Sequence, residues 1–552
     1  MALDKRIIIY QLLPRLFGNK NTTRKPNGSI EDNGCGKLND ITEKQLLQIK
    51  QLGATHVWFT GVIRHATATS YASFDIPTQH AEIVKGKAGS PYAITDYYDI
   101  DPDLAVDVPH RMEEFENLLQ RAHHLGLKVI IDFVPNHVAR EYHSIAKPHG
   151  VRDLGETDDP SMHFSVENNF YYCWGQPFEP RFDAGSYKEM PARATGNDHF
   201  DNHPSRNDWY ETVKLNYGID YCDAGGKSEH FYPMPDTWGK MTDVLFYWAS
   251  KGVDGFRCDM AEMVPSQFWT FAIGKLKATY PQLIFIGEVY NPMLYAQYLH
   301  AGFDYLYDKV GMYDCLRDVT CHRRPAADIT RQWQSTNEML HSMLYFLENH
   351  DEQRIASDFF AANAWKAVPA LMVCAFLQTN PLMIYNGQEF GESGMDEEGF
   401  SGRDGRTTIF DYWSVESVRR GFFDRRRMTA DARRIEKTVR HILQLSNNES
   451  VLREGAFFDL MYVNLPLASR QYAFLRKDAS AVALVVVNFD DKPVSIDVNL
   501  PQHAFDFLSI PQGTFSATEL MSEQSVELTL SPNAPVTADI PSRSGCVYKI
   551  KL

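Results

Sequence analysis

The chain has 552 residues, of which 44% are hydrophobic and 12% aromatic, and its formal net charge is -16. That length exceeds what one hydrophobic core usually contains, so we expect a large domain with one or two smaller ones. The negative charge argues against binding to nucleic acid or to an anionic membrane, because either polyanion would repel the protein. The sequence has no run of about 18 apolar residues, so it predicts no membrane-spanning helix.

The N-terminus and the cysteines bear on the cellular compartment. Residues Met1–Arg6 lead directly into the apolar stretch Ile7–Tyr10, which is too short and too early for a signal peptide. We therefore expect a cytoplasmic protein, or an exported one if a signal peptide has been trimmed. The eight cysteines have neither CxxC nor metal-ligand spacing. This favours free thiols, although Cys173 and Cys222 could pair.

Apolar strands and amphipathic helices alternate through most of the chain. Residues Arg111–Leu125 have the apolar spacing of a helix, and Gly126 stands where a left-handed C-cap is expected. Eight buried strands are predicted, at Ile7–Leu13, Thr55–Thr60, Leu127–Val134, Val253–Cys258, Leu283–Gly287, Phe303–Tyr307, Ser342–Leu347 and Leu382–Tyr385. Eight βα units form a closed barrel, and its functional residues lie on the loops that follow the strands.

Two regions depart from this alternation. Residues 138–236 are polar and aromatic and too long for a βα loop, so they predict a small domain inserted after the third strand. After a helix at Ala430–Leu445, a C-terminal antiparallel sandwich is predicted from β runs at Phe457–Val463, Tyr472–Leu475, Val482–Asn488, Val494–Val498 and Val547–Ile550. The predicted fold class is α/β: a (β/α)8 TIM barrel in residues 1–137 and 237–450, the inserted domain in 138–236 and the sandwich in 451–552.

Four segments place polar residues at the ends of predicted strands. They are DFVPNH at Asp132–His137, GFRCD at Gly255–Asp259, IGEV at Ile286–Val289 and FLENHD at Phe346–Asp351. A parallel strand that is covered on both faces reaches solvent only at its carboxyl end. Three of these ends bring a carboxylate to the same edge of the barrel. Such carboxylates suit glycoside chemistry, with one as acid, one as nucleophile and a third that steadies positive charge on the sugar.

Together and in this order, the four segments resemble signature regions I to IV of the α-amylase family of glycoside hydrolases. The resemblance extends over nearly the whole chain and implies a TIM barrel with an irregular domain B after the third strand. By this resemblance, Asp259 is the nucleophile and Glu288 is the general acid/base. Asp351 is the third carboxylate, which grips hydroxyl groups of the distorted sugar ring.

Five further residues are predicted to bind substrate: Tyr92, His137, Arg257, His350 and Arg354. His137 and His350 match the family's pair of histidines that bind sugar hydroxyls at the cleavage site. Tyr92 matches the aromatic residue that stacks on the same sugar, and the alternative is a core tyrosine.

The two arginines have structural alternatives. Arg257 lies two residues before Asp259, on the same face of the strand, and can hold that carboxylate ionised and oriented. A buried pair that only stabilises the barrel is the alternative. Arg354 follows Asp351 within a turn, where it could brace the loop or stand as a surface charge.

The inserted region also resembles one group within the family. Lys214-Leu215-Asn216 is similar to the fifth signature region of neopullulanases, cyclomaltodextrinases and maltogenic amylases, and so is the segment after Asp259. Because the first barrel strand is predicted to begin by Ile7, we expect the chain to differ from that group in lacking its N-terminal domain. Its acidic residue at Glu262 stands one position earlier than is usual in the group.

The resemblance raises the question of calcium. Asn136 matches one ligand of the family's common calcium site, but Met263 stands where calcium-dependent amylases usually have histidine. In the loop Asp32–Asp40, Cys35 takes the place of a ligand aspartate, and a thiol is a poor ligand for a hard cation. We therefore predict no required cofactor or metal, while an incidental or structural Ca²⁺ ion stays possible.

These observations predict a retaining enzyme that cleaves α-glucosidic bonds, mostly α-1,4, in starch-derived glucans and malto-oligosaccharides. Two alternatives remain open. A transglycosylase or isomerase of the same family would share the four regions, whereas a non-catalytic binding or transporter-partner relative would lose the carboxylates that this chain keeps. The expected partner is the glucan substrate, with no nucleic acid and no membrane, and the sequence leaves the oligomeric state open.

Overall fold

The computed structural model describes residues 6–552. Residues 1–5, on which part of the signal-peptide prediction rests, lie outside that range. Eight parallel strands close into a barrel in chain order, with the first strand paired to both the second and the eighth. These strands are β1 Ile8–Leu12, β2 His56–Phe59, β3 Lys128–Phe133, β4 Gly255–Cys258, β5 Ile284–Gly287, β6 Tyr305–Tyr307, β7 Met343–Phe346 and β8 Leu382–Tyr385. The predicted TIM barrel is confirmed, and each predicted strand overlaps its observed counterpart.

The barrel interior is filled by large side chains from seven of its strands. They form one cluster of buried residues: Ile9, Trp58, Ile130, Ile286, Tyr307, Leu344, Phe346 and Met383. Strand β4 is the exception, because the residue in register with Asp132 of β3 and Ile286 of β5 is Arg257. Alternate residues of a strand face opposite sides of the sheet. Arg257 is therefore on the interior side of β4, where the other strands contribute mostly apolar side chains.

Helices surround the barrel and connect its strands. The helix predicted between the second and third strands runs from Arg111 to His124, and Gly126 beyond it has φ +72°. The helices, short ones included, are Pro14–Phe17, Ile30–Asn33, Glu43–Leu52, Arg111–His124, Asp236–Ser250, Ser266–Thr279, Tyr295–His300, Asp314–Thr320, Asp328–Thr336, Val368–Phe376, Glu416–Val418, Ala430–Asn448, Ser450–Arg453 and Gln502–Leu508.

The segment between β3 and the helix at Asp236–Ser250 has little regular structure. Its strands form two-stranded ladders of two or three residues: His137–Ala139 with Thr212–Lys214, Tyr172–Cys173 with Ala192–Arg193, and Ile219–Asp220 with Ser228–Glu229. A further ladder, Ile63–His65 with Ile94–Ile100, follows β2. Cys173 and Cys222 are both free thiols. The predicted boundaries of the inserted domain and of the other domains stay predictions.

The C-terminal region is antiparallel, as predicted. A six-stranded sheet is formed by Ala456–Asp459, Gln471–Lys477, Ala481–Asn488, Ser544–Lys551, Gly513–Glu519 and Gln524–Leu530, and a two-stranded sheet by Val494–Val498 and Val536–Ile540. The prediction of one strand over Phe457–Val463 is wrong in its second half. Asp459 accepts a hydrogen bond from the Met461 backbone N–H at 2.6 Å, and Met461–Val463 then turns as a 3₁₀ helix. An aspartate that bonds to the backbone two residues on favours a turn over a continued strand.

Candidate active site

The carboxyl ends of β4 and β5 bring Asp259 and Glu288 side by side. The two strands are neighbours in the barrel, with Cys258 in register with Gly287, so the two carboxylic residues are the next pair along. The ladder continues past the strands, because the backbone N–H of Glu288 donates to Cys258 O at 3.1 Å. Both side chains are buried.

Arg257 links these two carboxylates. Its Nη1 donates to Asp259 Oδ1 at 2.7 Å. Its Nη2 lies 2.8 Å from Glu288 Oε2, an ion-pair contact that lacks hydrogen-bond alignment. Asp132 adds a third carboxylate at 3.4 Å from Nη1. The guanidinium is 1% exposed and is therefore compensated by charge rather than by water.

Three aromatic rings surround the same guanidinium. Its central carbon lies 5.3 Å from the ring centre of Trp58, 5.4 Å from that of Tyr92 and 5.5 Å from that of Tyr307. A cation within about 6 Å of an aromatic face is attracted by the ring, and more so where water is excluded. These rings fix the direction of Arg257 and hence of the carboxylates that it holds.

The site holds more negative than positive charge. Burial raises the pKa of Asp259 well above its usual value, Arg257 lowers it, and the neighbouring Glu288 raises it further. Burial also raises the pKa of Asp132, against the lowering effect of Arg257. Buried carboxyl groups that share one cation lose their protons less readily than carboxyl groups in water.

A hydrogen-bonded group containing His350 supports Asp351. Gln11 Nε2 donates to His350 Nδ1 at 2.7 Å, which leaves the ring proton on Nε2. That nitrogen lies 2.6 Å from the Tyr92 hydroxyl and 3.0 Å from Asp351 Oδ2, and the rings of Tyr92 and His350 stack. Burial raises the pKa of Asp351, but His350 and Arg257 lower it below the usual value. Asp351 is thus held ionised, with its side chain 39% exposed at the cavity floor.

His137 also lines the cavity and is held in a neutral form. Burial lowers the pKa of His137 to about 3, and the charge of Lys214 lowers it too. The ring lies 5.2 Å from the ring of Trp209, centre to centre. A neutral imidazole both donates and accepts hydrogen bonds, so it suits a hydroxyl group.

A cavity of about 230 Å³ opens over these residues. It is lined by Lys85, Ser90, Tyr92, His137, Trp209, Glu211, Thr212, Asp259, Met260, Glu288, Tyr290, Asp351, Ile409 and Phe410. Five of the eight predicted site residues are in this lining. Arg257 and His350 lie directly behind it, in contact with the carboxylates. The structure therefore brings seven of the eight residues together, and their roles stay predictions.

Arg354 is the exception, because it is not among the residues that line the cavity. The side chain is fully buried, so it is not a surface charge. It donates to Glu348 Oε2 at 2.9 Å and to Thr407 Oγ1 at 2.9 Å, and it lies over the ring of Tyr385 at 3.9 Å. These contacts use Nε and Nη1 of the guanidinium and its flat face. Arg354 braces the loop after β7, as the alternative interpretation stated.

Several cavity residues were not predicted from the sequence. Tyr290 donates its hydroxyl proton to Glu288 Oε1 at 2.6 Å. Lys85 and Glu211 form an ion pair at 3.0 Å, and Trp209 lies on the inserted segment. Tyr290 could have been noticed, because it stands two residues after Glu288 and faces the same side if the strand continues. Lys85 and Glu211 are 126 positions apart in an irregular region and have no local signal.

The residues at the family's calcium position do not fit a calcium ion. Asn136 Oδ1 accepts a hydrogen bond from Lys214 Nζ at 2.5 Å. The same ammonium is 2.6 Å from Asp198 Oδ1 and 3.5 Å from Met263 O. Burial lowers the pKa of Lys214 and Asp198 opposes that effect. A divalent cation on Asn136 would have to displace a buried ammonium group that already satisfies these oxygens.

Within residues 6–552, no group of three or more His, Cys, Asp or Glu side chains is placed to hold a metal ion. In the same part of the chain, no helix is both long and apolar enough to cross a membrane.

Comparison with known proteins identifies the family. Residues 11–450 match the sequence model of the α-amylase catalytic domain. Alpha-amylase 3 of Dictyoglomus thermophilum is 25% identical over 401 residues, which are 71% of this chain and 65% of that protein. Neopullulanase 2 of Thermoactinomyces vulgaris is 22% identical over 435 residues, covering 76% of this chain and 61% of its own. The chain spans less than two thirds of the length of these two relatives. It belongs to the α-amylase family of glycoside hydrolases.

Solved structures share the whole fold. The noncanonic maltogenic alpha-amylase AmyB from Thermotoga neapolitana is 19% identical with a TM-score of 0.64, and the match covers 99% of both chains. The alpha-amylase from Geobacillus thermoleovorans, solved with acarbose, is 18% identical with a TM-score of 0.65 over 99% of this chain and 98% of its own. The cyclomaltodextrin glucanotransferase CldA is 16% identical with a TM-score of 0.65 over 100% of both chains. At these identities the likeness concerns the fold alone.

The Lys214 contacts generate a prediction about metal removal. We expect EDTA to change neither the melting temperature nor the activity of the protein, because an ammonium group binds the oxygens that calcium would need. A tight calcium site at a hundred-fold excess of metal would contribute about 2.7 kcal/mol and would be plain in a thermal melt. A clear drop on chelation, reversed by added Ca²⁺, would contradict the prediction.

The same contacts predict the effect of removing the ammonium. Lys214→Met should lower the free energy of unfolding by about 1–3 kcal/mol, because Asn136 Oδ1 is left buried without a donor. Lys251→Met is the matched control, since Lys251 pairs with Glu116 at the surface and exposed pairs contribute little. Equal melting temperatures for the two variants would show that the Lys214 contact contributes nothing special.

Proposed function

We propose that this protein is a retaining glycosidase that cleaves α-glucosidic bonds, mostly α-1,4, in starch-derived glucans and malto-oligosaccharides. The observation that carries the proposal is the arrangement around Arg257. One guanidinium holds Oδ1 of Asp259 and lies against Oε2 of Glu288, while Asp259 Oδ2 is buried at the cavity without a hydrogen-bond partner among residues 6–552. That unbonded oxygen is the one left to attack.

The reaction follows from these roles. Glu288 protonates the glycosidic oxygen while Asp259 Oδ2 attacks the anomeric carbon, which breaks the bond to the leaving sugar and forms a glycosyl ester. Glu288, now ionised, removes a proton from water, and this water opens the ester. Asp351 and the neutral His137 face the sugar from the cavity walls, where they bind its hydroxyl groups as the ring distorts.

Strand spacing supports retention of configuration. Neighbouring strands in a sheet lie about 4.7–4.9 Å apart, and Asp259 and Glu288 follow a registered pair on two such strands. Both carboxyl groups then contact one guanidinium. Retaining enzymes place their carboxyl groups about 5–5.5 Å apart, whereas inverting enzymes need about 6.5–9.5 Å to admit a water molecule. The arrangement favours the closer class.

The cavity residues argue against one of the two alternative functions and are neutral toward the other. A non-catalytic binding relative is disfavoured because the three carboxylates are present and line one cavity. A transglycosylase uses the same first step and differs only in what opens the ester, so the cavity does not separate it from a hydrolase. Chromatography of the products from maltoheptaose, pullulan and cyclodextrin would decide between linear hydrolysis products and newly joined chains.

The nucleophile assignment predicts the behaviour of Asp259→Asn. Hydrolysis of maltoheptaose should fall by several orders of magnitude, with the melting temperature and sugar binding retained, because the amide cannot form the ester. Asp308→Asn is the matched control: Asp308 is also buried at the end of a barrel strand but lines no part of the cavity. Ordinary activity of Asp259→Asn would refute the assignment.

The acid assignment predicts a dependence on the leaving group. Glu288→Gln should lose most activity on malto-oligosaccharides, yet its first step should be restored on an aryl α-maltoside, because an activated phenol leaves without a proton. Glu389→Gln, at a buried glutamate after β8, is the control and should leave both activities unchanged. If Glu288→Gln were equally inactive on both substrates, Glu288 would not be the proton donor.

The stereochemical prediction needs no variant. Proton NMR during hydrolysis of an α-linked maltoside should show the α-anomer as the first product, before mutarotation, because two displacements restore the configuration. A β-configured first product would exclude the covalent route through Asp259.

A further inference from the structure

Two chain segments are tied together directly behind the proposed acid. The first follows β4 and contains Met260 and Glu262, and the second follows β5 and contains Tyr290 and Asn291. The Met260 backbone N–H donates to Glu288 Oε2 at 2.8 Å. Met260 has φ +44°, a conformation that costs energy for a residue with a side chain and that persists where the surroundings impose it.

Glu262 makes the second connection. Its Oε2 accepts hydrogen bonds from the backbone N–H groups of Tyr290 at 3.1 Å and Asn291 at 2.9 Å. A carboxylate that accepts two backbone donors holds that stretch of chain firmly, because charge-assisted hydrogen bonds are about twice as strong as neutral ones. Glu262 therefore fixes the backbone from which the Tyr290 side chain projects.

The two oxygens of Glu288 have different surroundings. Oε2 faces the protein, where it meets Met260 N–H and the guanidinium of Arg257. Oε1 accepts the hydroxyl proton of Tyr290 at 2.6 Å, and both side chains line the cavity. Oε1 is thus the oxygen that can pass a proton to a leaving group, and Tyr290 is its protein partner.

We propose that Tyr290 is a positioning residue that strengthens Glu288 as an acid, and that Glu262 acts through Tyr290 by fixing its backbone. This inference rests on the proposed glycosidase function. As Glu288 gives up its proton, negative charge develops on the carboxylate, and a hydroxyl group that donates to Oε1 stabilises that charge. The same hydrogen bond makes Glu288 a weaker base in the second step.

Tyr290 can act as a donor throughout the working pH range. Burial and the neighbouring carboxylate of Glu288 raise the pKa of Tyr290 well above its usual value. The other charged groups that face Glu288 are Arg257 on β4 and Asp259 directly after it, and the charges of Asp351 and Arg257 also act on Tyr290. None of these is altered when the tyrosine hydroxyl is removed.

Tyr290→Phe tests the proposal by removing one oxygen atom. On malto-oligosaccharides kcat/KM should fall about tenfold or more, the usual effect of losing a hydrogen bond to a charged group. On an aryl α-maltoside, whose leaving group needs no proton, kcat/KM should change little. The alkaline limb of the kcat/KM profile on malto-oligosaccharides should move to higher pH, because Glu288 keeps its proton longer without the donor.

Tyr295→Phe is the matched control. Tyr295 is a buried tyrosine five residues further along the chain, at the start of the helix Tyr295–His300, and its hydroxyl has no hydrogen-bond partner within the described chain. Its replacement should leave both substrates and the pH profile unchanged. An equal loss on both substrates in Tyr290→Phe, with the alkaline limb unmoved, would mean that Tyr290 only shapes the cavity wall and would overturn the proposal.

Glu262 is tested by a conservative and a disruptive variant. Glu262→Gln keeps an oxygen that can accept the two backbone N–H bonds and should retain most activity. Glu262→Ala should reproduce the leaving-group dependence of Tyr290→Phe. Activity of the wild type on the aryl substrate is the reference for all variants. A wild type inactive on every α-glucoside would refute the proposed function, whereas variants that match an active wild type would refute this inference alone.

Discussion

The buried guanidinium of Arg257 is the interaction on which the rest of the site depends. Burying an unpaired charge in a protein interior costs several kcal/mol, so Arg257 is stable there only because carboxylates lie against it. Asp132, Asp259 and Glu288 supply them from three neighbouring strands. The register of β4 therefore also determines which side chain meets the carboxylates. A one-residue shift of β4 would turn Arg257 outward and place Cys258 among the carboxylates.

The remaining donors in the site are mostly neutral. Tyr92 and Tyr290 offer hydrogen bonds to carboxylates without adding a positive charge. A second cation at the same distance would stabilise the ionised carboxylates further and would make the nucleophile a poorer base. Neutral donors orient the carboxyl groups and leave the site with a negative excess. Within that excess, burial and the neighbouring Glu288 raise the pKa of Asp259.

Much of the fold was predictable because its signals are local. A barrel strand is a short apolar run with turn residues at its ends. The ends of the eight barrel strands could therefore be located from the sequence. The strands Gly513–Glu519, Gln524–Leu530 and Val536–Ile540 were missed because one face of each is exposed and is occupied by Ser, Thr, Glu and other polar residues. Such alternation is a weaker signal than a continuous apolar run.

The site was predictable where its residues belong to the signature segments, and not elsewhere. Asp259 and Glu288 end recognisable parallel strands, and the carboxyl ends of such strands meet at one edge of the barrel, which was enough to expect the two residues together. The burial of Arg354 depends on Glu348 and Thr407, and the second of these lies 53 positions away. The role of Tyr290 depends on a rotamer that points its hydroxyl to Oε1. Contacts of this kind are set by tertiary packing, which leaves no periodic trace in the sequence.

Lys214 connects the inserted segment to the barrel through its charged side chain. In the ladder that follows β3, Lys214 is paired directly with His137, which lines the cavity. The ammonium of Lys214 reaches Asn136 at the barrel end and Asp198 within the insertion. A bound metal ion would hold such a junction only at sufficient free concentration, whereas a covalently attached cation is present whenever the chain is folded. The cavity wall that contains His137 is thus held by the chain itself, and its position follows from the same pairing that orders the insertion.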